Sequence, residues 1–75
     1  MASITKPFVG TAVVFRRRKQ LLLRVPTFQT RYYFRLVGQN GEPVAQSEGY
    51  TAKASALDTL EHYFPDFQLR DETGE

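Results

Sequence analysis

Seventy-five residues with 10 Lys+Arg, 8 Asp+Glu, one His and no Cys make a single small domain and exclude disulfides, thiolate zinc sites and cysteine nucleophiles. The net charge of +2 conceals a division: up to Gly38 there are eight cations and no acid, and from Gln39 onward eight acids stand against Lys53 and Arg70, a balance of −6. With 41% apolar residues, no membrane-length apolar run and no charged segment leading into an apolar one after Met1, the expectation is a folded cytoplasmic protein without a signal peptide or membrane contact.

Val9–Arg16 and Gln20–Val25 are rich in branched and bulky apolar residues, the composition of strands, and the charged run Arg16–Lys19 reads as the connection between them. Pro26 ends the second segment, and Thr27–Thr30 reads as a loop. Arg31–Val37 alternates strictly, with Tyr32, Phe34 and Leu36 on one face and Arg31, Tyr33, Arg35 and Val37 on the other. Gln39-Asn40-Gly41-Glu42 is a turn signal, because Asn and Gly tolerate positive φ, and Pro43–Ser47 follows as the returning strand. Thr51 is placed to cap a helix running to about Phe64, where Pro65 stops it. Ala56, Leu57, Leu60, Tyr63 and Phe64 give that helix one apolar stripe. Phe67–Asp71 alternates again as a last strand. The predicted architecture is α+β: an antiparallel sheet with one helix on one face, in strands-helix-strand order, its other face open or paired. A chain this short buries only about 60% of the surface its unfolded form exposes, so a second copy is expected to supply the missing interior.

Little in the chain points to catalysis. Ser55, Asp58 and His62 share the outer helix face, but Ser55 and His62 stand about 10.5 Å apart along the axis at 1.5 Å per residue, where a nucleophile and its base need about 3 Å. Asp58 also lies between them, where a triad needs the His. No phosphate loop, metal-ligand spacing or cofactor fingerprint is present, and neither an enzyme nor a cofactor is expected.

The distribution of arginines is the positive signal. If Leu21, Leu23 and Val25 face the helix, Arg24 faces outward with Arg31, Tyr33 and Arg35, and Arg70 joins from the last strand. Arg16, Arg17, Arg18 and Lys19 would extend that surface, where cations meet phosphates and Tyr33 stacks on an unpaired base. Against this stand two points. Four adjacent cations commonly form a solvated loop or guard a strand edge, and Val14, Leu22 and Val37 would share the outward face, which suits a protein cover. The first expectation is therefore a protein-binding adaptor or inhibitor, with nucleic acid as the alternative partner.

From Tyr33 to Ala56 the string Y-F-R-L-V-G-Q-N-G-E-P-V-A-Q-S-E-G-Y-T-A-K-A-S-A resembles the YegP-like family of small uncharacterised domains. Phe34, Arg35, Leu36, Asn40, Gly41, Ser47, Glu48, Tyr50, Lys53 and Ala54 stand at the matching positions. The resemblance implies a three-strand, helix, strand unit found as tandem copies or as a homodimer of single copies that exchange their C-terminal strands. It implies no activity. With Gln20–Val25 as the first family strand it would cover residues 20–71, making residues 20–75 one YegP-like domain and residues 1–19 an extension with an extra strand and a basic loop. Lys53, in the first turn of the helix, calls for a nearby carboxylate, and Glu48 is the expected partner. Ser47, Glu48, Tyr50 and Lys53 are accordingly read as a structural latch.

Overall fold

Strand alternation, one Asn-Gly turn and one proline-stopped helix organise the chain. The computed structural model describes residues 8–21 and 27–75, in the order β1 (Gly10–Leu21), β2 (Thr27–Gly38), β3 (Pro43–Gln46), α1 (Lys53–Tyr63) and β4 (Phe67–Asp71). They form an α+β unit with one four-stranded sheet in the spatial order β3-β2-β1-β4. β1 pairs antiparallel with β2, and β2 with β3, but β4 runs parallel to β1. The sheet is thus mixed, where an antiparallel one was expected. Four successive reversals, the last after the helix, return β4 to the direction of β1, whose free edge it joins.

A second correction concerns the charged run. Arg16–Lys19 is strand, paired with Tyr32, Arg31, Thr30 and Gln29, and Thr27–Thr30 belongs to β2. The pairing partner β2 satisfies the backbone of these residues, and alternation sends successive side chains to opposite faces, so the charges need no loop. Of the segment Gln20–Val25, Gln20 and Leu21 finish β1, and residues 22–26 lie outside the described residues, Arg24 among them.

Ala12, Val14, Phe34 and Leu36 meet Ala56 and Leu60 of the helix to form the core, with Tyr32, Tyr50, Leu57, Phe64 and Phe67 around it. Val14 is fully buried there and not on the outward face, because β1 puts its even-numbered residues under the helix. Val13 takes the outward position, between Arg35 and Arg70 on the neighbouring strands. The helix begins at Lys53 with Ala52 as its cap and no side-chain capping bond, so the expected Thr51 cap is not made. It ends at the predicted place, with Phe64 as C-cap before Pro65. Tyr63 sits on the rim of the apolar arc and stays 69% exposed, its ring edge-on to His62. At the β2–β3 turn Gly41 adopts φ 82°, and the Asn40 side chain accepts a hydrogen bond from the Glu42 N–H.

Candidate functional site

Two polar constellations lie on opposite sides of the sheet. On the helix side Lys53 donates to the Asp71 carboxylate at 2.6 Å and to the Glu75 carbonyl at 2.9 Å. Asp71 also accepts from the N–H and the hydroxyl of Thr73, which is 3% exposed, at 2.9 and 2.6 Å. Lys53 first, and then Thr73, hold the Asp71 carboxyl well below its ordinary range. The Glu75 carboxylate accepts from the Tyr32 hydroxyl at 2.6 Å and from Arg16 at 3.0 Å, which lowers its own pKa and raises that of Tyr32.

This clamp replaces the expected Glu48–Lys53 pair. Glu48 is exposed, and Lys53 turns to the C-terminal segment because β4 brings Asp71 beside the start of the helix. The other latch residues do serve structure. Ser47 Oγ accepts from the Phe34 N–H at 2.9 Å, taking the place of a ladder carbonyl. Tyr50 exchanges two 2.8 Å backbone bonds with Tyr32, and its ring stacks against Phe34. Gly49, between them, lies beneath Tyr33: a Cβ there would stand 3.0 Å from the Tyr33 hydroxyl.

The outward face holds the second constellation. Phe15 and Tyr33, directly opposite on β1 and β2, stack with ring centres 5.6 Å apart and planes 16° from parallel. The guanidinium of Arg17 lies 5.4 Å from the Phe15 ring centre and that of Arg35 at 5.5 Å, both cation–π contacts. Arg31 stands opposite Arg17 across the hairpin and donates to the Gln29 side chain at 2.9 Å. Arg70 is outward as predicted, but tied to Glu72 at 2.8 Å.

Of the residues singled out from the sequence, Arg17, Arg31, Tyr33 and Arg35 therefore share one face. Arg16 and Arg18 point to the other: Arg16 joins the Glu75 clamp, and Arg18 lies 4.9 Å over the Phe28 ring. Lys19 lies within β1, and Arg24 is outside the described residues. Phe15, Phe28 and the Asp71–Thr73–Glu75 clamp escaped the sequence reading. Continuing the alternation Val13, Phe15, Arg17 past residue 16 would have found Phe15. Only the Asp71–Thr73–Glu75 bonds are local, two residues apart, and nothing local marks the partners that tie this segment to the rest of the fold, Lys53, Tyr32 and Arg16, which lie 18 to 59 residues away.

Among the described residues no helix is long and apolar enough to cross a membrane, and no three His, Asp or Glu side chains stand together as a metal site. What the fold and site define, among the described residues, is a small α+β domain with one sheet face covered by the helix and a basic-aromatic face opposite it. Residues 29–62 match the family model described as Domain of unknown function (DUF1508), the domain of the YegP-like family. The match takes in most of β2, all of β3 and nearly all of α1, and leaves β1 and β4 outside it, a narrower span than residues 20–71. No curated protein and no solved structure shows significant similarity to the chain.

Proposed function

We propose that the chain is a non-enzymatic binding module that acts as a homodimer and engages nucleic acid through its basic hairpin. One observation carries the reading: from Arg16 to Arg35 the sequence has seven cations and no acid, and Arg17, Arg31 and Arg35 gather on the sheet face opposite the helix. Apolar side chains remain on that face, Val13 and Phe15 of β1 beside Val37 of β2, but the cations lie towards the outer end of the hairpin, past Phe15, where Arg17 and Arg31 stand opposite one another. The mode of contact differs from base stacking on Tyr33. That ring is lodged between Phe15 and Gly49, and the guanidiniums already occupy positions over Phe15, leaving their N–H groups to meet phosphates.

A separate apolar groove favours protein–protein contact with a second copy. Leu57, Leu60, Phe64, Phe67 and Leu69 line it between α1 and the open edge of β4, and Leu69 is 54% exposed. Exchange of β4 between twins would preserve its parallel register on β1, and packing the two copies groove to groove would bury these side chains. The nucleic-acid reading is tested by fluorescence anisotropy of labelled oligonucleotides across a salt series. Binding should weaken steeply as salt rises, and a chain that leaves the probes free at low salt would remove it.

A further inference from the structure

Resting on that reading, we propose that the nucleic acid is double-helical B-form DNA and that the hairpin arm enters its major groove, with one cationic face towards each phosphate wall. Beyond the Arg16–Tyr32 pair neither β3, β4 nor the helix accompanies the hairpin, and residues 17–21 and 27–31 run on as a two-stranded ribbon. Its cations are distributed over both faces. Arg17 and Arg31 occupy the outer face, and Arg18, laid over the 59% exposed Phe28, occupies the other. A flat acidic surface or a single strand draped on the sheet would meet only one of these faces. A groove with an anionic wall on each side meets both.

The dimensions agree. A sheet with its side chains occupies a layer of about 10 Å, the major groove is about 12 Å wide, and the minor groove, at about 6 Å, is too narrow. The deep, narrow major groove of A-form RNA excludes the ribbon as well. The arm also carries an uncompensated repulsion. Arg17 and Arg31 are directly opposite, an arrangement that destabilises a ladder, and among the described residues no carboxylate pairs with either or with Arg18. A phosphate placed between Arg17 and Arg31 would relieve that repulsion.

The test titrates salt against the intact chain bound to a labelled DNA duplex, to one of its separated strands, and to an RNA duplex of the same sequence. The duplex DNA should bind most tightly. For each copy of the chain engaged, the slope of log affinity on log salt should fall by about 0.9 in Arg18→Gln and by about 1.8 in Arg17→Gln/Arg31→Gln, since each neutralised phosphate contributes about 0.9. Arg17→Lys/Arg31→Lys should keep the slope, and matched thermal melts show that the variants are folded. A saturating minor-groove dye should leave the complex intact. Equal binding of the single strand, loss of slope from one face alone, or displacement by the dye would overturn the groove assignment and leave the nucleic-acid reading standing. Failure to bind any of the three probes at low salt would remove both.

Discussion

Lys53 shows how a residue at an unfavourable position acquires a purpose. A cation in the first helical turn opposes the macrodipole, and here Asp71 and the Glu75 carbonyl compensate it. Because Asp71's folded pKa lies below its unfolded one, its contribution to stability is present above about pH 4 and is lost as pH falls through the depressed value. Asp71→Asn is therefore expected to lower the urea midpoint at neutral pH and to flatten its acid decline; an unchanged acid limb would rule out the clamp. Tyr32 has the opposite sign. Its raised pKa means that its contribution is full below about pH 10 and is lost above that, when a tyrosinate would face the Glu75 carboxylate. Urea midpoints in alkaline buffer should show this loss in the parent chain but not in Tyr32→Phe. In the core, Leu60→Ala is expected to cost about 2–5 kcal/mol through lost burial and the cavity left against Ala12 and Val14.

At the level of elements, the helix start and the sheet's central strand are the places where the chain departs from local expectation. Ala52 has the extended conformation of a capping residue, φ −132° and ψ 140°, yet no side chain with which to cap. Ala52→Ser should raise stability by about 0.5–2 kcal/mol, read as a higher denaturation midpoint, since the first backbone N–H groups then gain a partner. Gly10 is the converse case. A Cβ there would collide with the Val37 carbonyl oxygen on the paired strand, which has no flexible end to swing away. Gly10→Ala should cost about 1–3 kcal/mol as the β1–β2 ladder is forced apart, and an unchanged midpoint would show that the ladder yields freely.

For the molecule as a whole, the balance of buried and exposed surface sets the expectation of self-association. Among the described residues the core is a cluster of six buried apolar side chains, two of them small or branched members of β1, while Leu69 remains open beside the helix. Sedimentation should give a mass near twice the 8.6 kDa of the chain, and Leu69→Glu should shift it towards one copy. A mass of one copy at all concentrations would rule out the homodimer.

Alternation alone made β4, the inner face of β2 and the proline-stopped end of the helix legible, because period-2 patterning and a missing N–H act within a few residues. The Tyr33–Ala56 string likewise carried its family resemblance on local signals, and placed Arg31, Tyr33 and Arg35 on one face. Pairing decided the rest. Four adjacent cations read locally as a loop, yet β2 supplies hydrogen bonds to their backbone and turns them into a strand with Arg17 and Arg18 on opposite faces. The parallel return of β4 then carried Asp71 to Lys53 and Glu75 to Arg16. Such partners are chosen by proximity in space, which the order of residues along a chain does not encode locally.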